Sequence, residues 1–173
     1  MEFRRFCSAS LFAGCLLGAL AGAASAKDAA ATSGLPVPRY VSLKSDHVNV
    51  RAGPTKDNDV AWVYTRSGLP VEITAEFENW RRVRDSEGAE GWVYHSLLSG
   101  RRTAVITMKS REDLAPLYER ADSASAVTAR LQAGVITQVK QCGSGWCRVA
   151  GNGFDGWIEQ QRLWGVYADE KVN

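Results

Sequence analysis

The sequence has few of the residues on which most enzymes and metal sites depend. It contains two histidines and four cysteines in 173 residues, and two of the cysteines lie in an apolar stretch near the start. Catalysis would need a nucleophile, a base and a group that orients the base. The histidines, His47 and His95, are far along the chain from the remaining cysteines, Cys142 and Cys147, and no metal-ligand spacing is present. We therefore expect no enzyme activity, no metal and no cofactor.

A strong excess of charge of one sign is also missing. The formal net charge is +2 at pH 7, and it falls to about +1 when the leader described below is set aside with Arg4, Arg5 and Glu2. Nucleic-acid-binding proteins normally show a strongly basic face or domain, so nucleic acid is not an expected partner. Basic clusters at 81–84 and 101–102 are typical of solvated strand edges or linkers, with a polyanion site as the alternative.

The first 26 residues have the pattern of an export signal. Two arginines precede an apolar stretch over residues 6–24, and Ala24-Ser25-Ala26 has the small residues that a signal peptidase requires. The pattern predicts cleavage before Lys27, directly after Ala26. We expect the mature protein to be periplasmic or secreted, with membrane contact only through the signal before cleavage.

Two alternatives to a cleaved soluble product stay open. An uncleaved membrane anchor is disfavoured by Gly14 and Gly18 and by the clean cleavage site. The string from Leu11 to Cys15 loosely resembles a lipoprotein box, which would leave Cys15 as a lipid-bearing N-terminus. Phe12 fits that box poorly, and the residues after Cys15 are too apolar for a tether.

The rest of the chain shows little helical periodicity. Residues 27–39 are rich in Ala, Thr, Ser, Gly and Pro, which predicts a flexible linker before a fold that starts near Tyr40. From there the apolar runs are short, rich in Val, Ile, Trp and Tyr, and interrupted every eight to twelve or so residues by turn formers. This pattern indicates small all-β units.

Comparison of the chain with itself reveals an internal repeat. Residues 67–73 align with 133–139, and Trp80-Arg81-Arg82-Val83 aligns with Trp146-Cys147-Arg148-Val149 at the same offset. One deletion later, Gly88–Val93 matches Gly153–Ile158. The predicted domains are a signal peptide at 1–26, a linker at 27–39, a first copy at 40–99, a linker at 100–103, a second copy at 104–167 and a C-terminal tail at 168–173.

Each copy is predicted to contain about five short strands. In the first copy they centre on Val48–Val50, Val60–Tyr64, Val71–Phe77, Trp80–Arg84 and Gly91–Tyr94. Between Val71 and Glu78 apolar and polar residues alternate, which predicts a half-buried strand with its polar face in water. Glu78-Asn79 is predicted to form a tight hairpin. Units this small bury little surface, so closure into a barrel and packing of the two copies would both stabilise them.

Two strings of the first copy carry a family resemblance. Val48-Asn49-Val50-Arg51-Ala52-Gly53-Pro54 and Gly91-Trp92-Val93 resemble the bacterial SH3 domains, in the tandem form found in exported proteins of Gram-negative bacteria. The resemblance covers nearly all of residues 40–167. It implies an all-β fold of two tandem small SH3-like β-barrels, in which Gly91 lets two backbones approach closely. The second copy departs from the pattern, with Leu117-Tyr118-Glu119-Arg120-Ala121 in place of Val50 to Pro54.

The resemblance to wall-targeting domains implies a non-catalytic binding protein that recognises peptidoglycan or its peptides. The alternative is an adaptor that docks an envelope or secreted partner protein. SH3 barrels bind extended peptides in grooves lined by aromatic side chains with polar tips. We predict a ligand site in the first copy formed by Asn49, Arg51, Trp92 and Tyr94, with the second copy in a supporting role.

Two cysteines in the second copy are spaced for a disulfide. Cys142 and Cys147 flank the short turn Gly143-Ser144-Gly145-Trp146, so they face each other across an antiparallel pair at a distance that a disulfide accepts. An exported compartment would oxidise them. We predict a structural disulfide, with free buried thiols as the alternative.

Overall fold

The computed structural model describes residues 33–108 and 113–173. Within these ranges the secondary structure consists of β-strands and two short 3-10 turns, at His95–Leu97 and Gln160–Arg162. In the same ranges, no helix has the length and apolar character required to cross a bilayer. The predicted cleavage between Ala26 and Lys27 and the alternative lipid site at Cys15 lie outside the described residues.

The first copy forms a seven-stranded antiparallel sheet. Its strands are β1 (Arg39–Leu43), β2 (Val48–Arg51), β3 (Val60–Tyr64), β4 (Pro70–Phe77), β5 (Trp80–Arg84), β6 (Glu90–Tyr94) and β7 (Leu98–Ser99). They are ordered β3-β2-β6-β5-β4-β1-β7. The five predicted strands are confirmed at β2 to β6. The structure adds β1, which begins one residue before the predicted start of the fold, and the two-residue β7.

The second copy repeats this topology strand for strand. Its strands are β8 (Thr103–Ile106), β9 (Leu114–Tyr118), β10 (Val127–Gln132), β11 (Ile136–Gly143), β12 (Trp146–Gly151), β13 (Phe154–Glu159) and β14 (Leu163–Trp164). Their order, β10-β9-β13-β12-β11-β8-β14, is that of the first sheet shifted by seven strands. The predicted tandem, all-β architecture is therefore confirmed.

Each copy has its own core of β-branched and aliphatic side chains. The first is built around Val48, Val50, Val83 and Val93, and the second around a corresponding set that includes Val149. These residues sit at alternate strand positions, as expected for strands with one face inside. Two separate cores mean that each copy folds around its own apolar centre.

A glycine on β6 is required by the close approach of two strands. A Cβ atom on Gly91 would lie 2.4 Å from Cγ1 of Val50 and 3.2 Å from the backbone oxygen of Arg51. At the corresponding position of the second copy, a Cβ on Gly156 would lie 3.1 Å from Cβ of Leu117. The predicted role of Gly91, close backbone approach just before Trp92, is confirmed.

The prediction that one side of β4 faces water is wrong. Glu72 and Glu76 are buried, whereas Phe77 at the strand end is exposed. The ladder between β4 and β5 is interrupted between Ile73 and Ala75, and such a bulge reverses the alternation beyond it. In addition, the carboxylates of Glu72 and Glu76 are covered by other parts of the chain rather than by water.

Two tight hairpins close at their predicted positions. Phe77 lies opposite Trp80, and Glu78 in the turn between them has a left-handed φ of 48°. Cys142 lies opposite Cys147, with a Cα–Cα distance of 4.1 Å, and the two sulfurs are bonded. The disulfide therefore links directly opposed residues of β11 and β12, as the sequence predicted.

The segments that flank the two copies pack against them. The backbone N–H and the hydroxyl of Ser33 donate to the Glu76 carboxylate at 2.9 and 2.7 Å. At the other end Val172 forms a β-bridge with Cys142. Part of the predicted linker and the predicted tail thus contribute contacts to the barrels.

The two copies contact each other through aromatic rings and a buried carboxylate. Tyr40 of β1 packs edge-on against Trp164, with ring centroids 5.4 Å apart, and lies 4.6 Å from Tyr167. The Tyr167 hydroxyl donates to Oε1 of Glu72 at 2.9 Å. Burial, followed by the nearby Glu72 charge, raises the pKa of Tyr40 to about 12. Burial and the hydrogen bond to Glu72 also raise the pKa of Tyr167.

Candidate binding site

One outer face of the first barrel carries most of the predicted site residues. Arg51 on β2 lies opposite Trp92 on β6, and Trp92 lies opposite Arg82 on β5. Tyr94 lies opposite Trp80 in the same ladder. Paired residues of antiparallel strands point to the same side, so these aromatic and basic side chains share one surface.

A cavity of about 200 Å³ opens on this surface. It is lined by Asn49, Arg51, Lys56, Trp80, Tyr94 and Leu97, and this group is called the first-barrel cleft. The cleft brings together three of the four predicted ligand residues. The fourth, Trp92, is half-buried and is not among the lining residues; Trp80 lines the cleft instead, with its ring 5.4 Å from that of Tyr94 in an edge-on contact.

The loop after β2 is held in shape by polar contacts that include Arg51. Nη1 of Arg51 donates to the backbone oxygen of Asn58 at 2.6 Å, and Nδ2 of Asn58 donates to the Thr55 hydroxyl at 2.6 Å. A Cβ on Gly53 would lie 2.5 Å from Oδ1 of Asn58, so the backbone passes directly over that side chain. The loop that carries Lys56 is therefore fixed to the strand that carries Arg51.

The basic cluster at 81–84 is ion-paired, with Arg82 and Arg84 at the surface. Arg81 pairs with Glu76 at 3.0 Å, Arg82 pairs with Glu90 at 2.6 Å, and Arg84 donates from Nε to Glu72 at 3.0 Å. Arg81 is also buried. Each of these three cations is neutralised within the fold, so this cluster gives no support to the alternative of a polyanion site.

Arg51 differs from these arginines in its electrostatic environment. Within residues 33–108 and 113–173 it forms no ion pair, and neither does the exposed Lys56. No carboxylate lines the first-barrel cleft. Two positive charges are thus held beside two aromatic rings, an arrangement that attracts a carboxylate on a ligand with apolar surface.

Beside β4, a buried carboxylate fastens the N-terminal segment to the first barrel. Burial alone would raise the pKa of Glu76, but hydrogen bonds from Ser33 and Arg39 outweigh it and lower the pKa to about 2. Arg39 and Arg81 both form ion pairs with this carboxylate. Glu76 therefore stays ionised over the ordinary pH range and holds residues 33–39 against the sheet.

The second barrel lacks the arginine of the first-barrel cleft. Trp157 lies opposite Tyr118 as Trp92 lies opposite Arg51, so Tyr118 occupies the position of Arg51. Glu159 lies opposite Trp146 as Tyr94 lies opposite Trp80. These replacements agree with the expected asymmetry between the copies, because an aromatic residue and a carboxylate stand where the first barrel has an arginine and a tyrosine.

Groups suited to catalysis are not brought together in the described residues. Cys142 and Cys147 are bonded to each other. His95 contacts the ring of Tyr94, with centroids 5.0 Å apart, while His47 is an exposed residue before β2. Among the residues that the structure describes, no group of three or more His, Cys, Asp or Glu side chains could hold a metal ion.

The comparison with protein families decides which family this fold represents. A family model described as bacterial SH3 domain matches residues 44–100 and again residues 111–165. The chain belongs to the bacterial SH3 domain family. Each match covers the last six of the seven strands of one sheet, beginning after β1 and after β8, so both copies are members even though the second has lost the Asn49-to-Pro54 string.

Solved structures with a partial likeness to this chain include two proteins named NlpC and an NlpC/P60 family protein. NlpC2 from Trichomonas vaginalis is 15% identical with a TM-score of 0.33, covering 75% of this chain and 49% of that one. NlpC1 from the same organism is 16% identical with a TM-score of 0.32, covering 77% and 48%. An NlpC/P60 family protein from Bacillus cereus ATCC 10987 is 12% identical with a TM-score of 0.29, covering 72% and 55%. The chain spans about half the length of these structures. No curated protein matched.

Proposed function

We propose that this bacterial SH3 protein is an exported, non-catalytic binding protein that recognises peptidoglycan or its peptides through the first-barrel cleft. The observation that supports this most directly is the lining of that cleft. Arg51 and Lys56 lie beside Trp80 and Tyr94, and no carboxylate is among the lining residues. An extended peptide that carries free carboxylates and small apolar side chains has the complementary chemistry.

Each side chain of the cleft would make a different kind of contact with a peptide ligand. One N–H group of the Arg51 guanidinium donates a hydrogen bond to the Asn58 carbonyl. The remaining N–H groups can bind a carboxylate with two parallel hydrogen bonds. Trp80 and Tyr94 supply apolar surface at a low cost in side-chain entropy. Asn49 offers both a donor and an acceptor to a peptide backbone. This division follows the way that SH3 barrels bind extended peptides.

Trp92 has a different part in this proposal from the one that the sequence suggested. It lies between Arg51 and Arg82 in the ladder, outside the lining of the cleft. We assign the central aromatic contact to the half-buried Tyr94, against which the 7%-exposed Trp80 packs edge-on, and place Trp92 at the margin, where a longer ligand would reach it.

The proposed location rests on the leader and the disulfide together. Disulfides persist in oxidising compartments and are rare in the cytosol of ordinary bacteria. The bond between Cys142 and Cys147 therefore supports the export predicted from the first 26 residues. We propose a periplasmic or secreted mature chain that starts at Lys27.

A retention assay on purified sacculi tests the proposed ligand. The mature chain is incubated with peptidoglycan stripped of protein, and the bound fraction is measured after washing. The double variant Arg51→Gln with Lys56→Gln should lose at least about tenfold in affinity, because a central Arg anchor commonly accounts for about 2 kcal/mol of binding. Circular dichroism verifies that the variant is folded.

A charge-matched control separates the cleft from general attraction to an anionic polymer. Arg101→Gln with Lys140→Gln removes the same two charges from exposed positions outside the cleft, and it should bind like the wild type. Equal losses of affinity in the two double variants would mean that net charge alone drives binding to the sacculi. Retention only on sacculi that still carry protein would favour an adaptor that docks an envelope protein.

A further inference from the structure

The first-barrel cleft carries its charge on one side only. Arg51 on β2 and Lys56 on the loop that follows are its two cations, and its other lining residues are uncharged. Asp57 and Asp59 lie on the same loop as Lys56, but neither of them lines the cleft. A ligand in the cleft therefore meets positive charge beside β2 and apolar rings beside β6 and β5.

A row of aromatic side chains leads away from these cations across the outer face of the sheet. Tyr94 on β6 lies opposite Trp80 on β5, and Trp80 lies opposite Phe77 on β4. Paired residues of antiparallel strands point to the same side, so the three rings share one face and are called the aromatic row. Tyr94 is half-buried, Trp80 is 7% exposed and Phe77 is 46% exposed. Apolar surface is thus open to a ligand at both ends of the row.

The exposure of Phe77 is the second observation that indicates a ligand on this face. Among the residues that the structure describes, Phe77 is the only exposed Phe, Tyr or Trp, and it is not part of the core of the first barrel. Aromatic residues are enriched where proteins contact a partner. An exposed ring in line with a cationic cleft therefore extends the contact surface beyond the cleft itself.

The size of the cleft limits which part of a peptide it can hold. Its volume of about 200 Å³ is below the roughly 300–1,000 Å³ of pockets that enclose a drug-sized molecule, so it has room for about one or two residues. The backbone of an internal residue presents neutral amides, which cannot pair with two cations. A terminal residue presents a carboxylate, which can.

The strand order gives the distance from the cations to Phe77. β6 and β5 lie between β2 and β4. Neighbouring strands are about 4.8 Å apart, so β2 and β4 are about 14 Å apart across the sheet. An extended peptide rises about 3.3 Å per residue, and about four residues therefore span this distance.

We propose that the first-barrel cleft recognises the free carboxyl end of a peptide, whose preceding residues run along the aromatic row to Phe77. The inference rests on the proposed function and names the class of peptide that the cleft takes, one with an unlinked carboxyl end. Cross-linking through that carboxyl converts it to an amide, which has no negative charge and cannot accept two parallel hydrogen bonds from Arg51. The protein thus distinguishes open peptide ends from cross-linked ones.

Titration of the ¹⁵N-labelled mature chain, followed by nuclear magnetic resonance, tests this with three peptides. The first is Nα-acetyl-L-leucyl-L-alanyl-D-alanyl-D-alanine, and the second is its C-terminal amide. The third, Nα-acetyl-L-leucyl-L-alanyl-D-glutamyl-D-alanine amide, has its only carboxylate on a side chain. We expect the free acid to shift the backbone signals of Asn49, Arg51 and Tyr94. It should bind at least about tenfold more tightly than either amide, because hydrogen bonds to charged groups are the strong ones.

Variants at the two ends of the site separate its parts. Arg51→Gln with Lys56→Gln should abolish the preference for the acid over its amide, and this ratio would not change if the two side chains only supported the fold. Phe77→Thr should weaken the four-residue acid at least about threefold and leave the shorter Nα-acetyl-D-alanyl-D-alanine unaffected, because two residues do not reach β4. Val127→Thr removes exposed apolar surface from β10 of the second barrel, and it should bind like the wild type.

The proposal is overturned if the acid and its amide bind alike, or if the side-chain carboxylate binds as tightly as the free end. It is also overturned if folded Arg51→Gln with Lys56→Gln keeps the preference for the acid, or if Phe77→Thr binds the four-residue acid like the wild type. Retention on sacculi reports separately on the proposed function. Cleft-dependent retention with equal binding of acid and amide would leave the proposed function standing without end recognition, whereas a preference for the acid without retention would contradict the proposed function alone.

Discussion

Substituting alanine for Gly91 should destabilise the first barrel by a predictable amount. The added methyl group would sit 2.4 Å from Cγ1 of Val50 and 3.1 Å from the Trp62 ring. Val50 is completely buried, so its side chain has no open space into which it could turn. The backbone oxygen of Arg51, 3.2 Å away on the same strand, can move only if β2 and β6 separate.

The magnitude follows from two opposing effects. Overpacking of a well-packed core costs about 1–3 kcal/mol, while replacing glycine with alanine recovers about 0.4–1 kcal/mol by restricting the unfolded chain. The net loss should be about 1–2 kcal/mol. For a chain of this size that lowers Tm by roughly 2–8 °C.

Thermal unfolding followed by circular dichroism measures this, with Gly100→Ala as the matched control. Gly100 has no neighbouring atom within 4 Å of an added Cβ and no left-handed φ, so the same substitution should leave Tm unchanged or slightly higher. If the Tm of Gly91→Ala equals or exceeds that of Gly100→Ala, the close approach of β2 and β6 does not require a glycine. The physical explanation of the Gly91-Trp92 motif (the Gly-Trp motif) would then be wrong.

Two further predictions concern stability. The pKa of Glu76 in the folded state is about 2, below its ordinary value of 4.5. Its contribution to stability is therefore present above pH 4.5 and is lost as pH falls through about 2. Between these two pH values, the stability of Glu76→Gln should depend less steeply on pH than that of the wild type, as measured by acid unfolding. Removing the disulfide with Cys142→Ser and Cys147→Ser should cost about 2 kcal/mol, because the loop it closes is short. The unreduced, denatured mature protein should show no free thiol on titration, and one or two thiols per chain would contradict the bond.

The alternation of polar and apolar residues predicted strand positions well and the environment of β4 badly. Glu72 and Glu76 have the spacing of a water-facing row, and that spacing is the same whether the row meets water or another part of the chain. Arg81 and Arg84 of the neighbouring strand pair with them, and the rest of the cover comes from far away in sequence: Tyr167 on Glu72, and Ser33 with Arg39 on Glu76. A local pattern contains no information about such distant partners.

For the first-barrel cleft as well, the sequence pattern predicts some of the residues and not others. Asn49 and Arg51 are two positions apart on one strand, so the motif alone places them on one face. Tyr94 joins them through the strand it shares with the Gly-Trp motif. Trp80 could have been found by pairing the predicted β5 and β6 outward from the hairpin between them, which sets it opposite Tyr94. Lys56 lies on a loop whose path depends on Asn58, and no periodicity signals it.

The hydrogen bond from Tyr167 to Glu72 joins residues 95 positions apart, and this separation affects the order of assembly. Chains generally fold from the N-terminus as they are made, so the first barrel can close around its own core long before Tyr167 exists. Until then the Glu72 carboxylate and the Tyr40 ring face water. Docking of the two barrels cannot precede the synthesis of Trp164 and Tyr167, so a chain interrupted before Trp164 would lack the rings that pack against Tyr40.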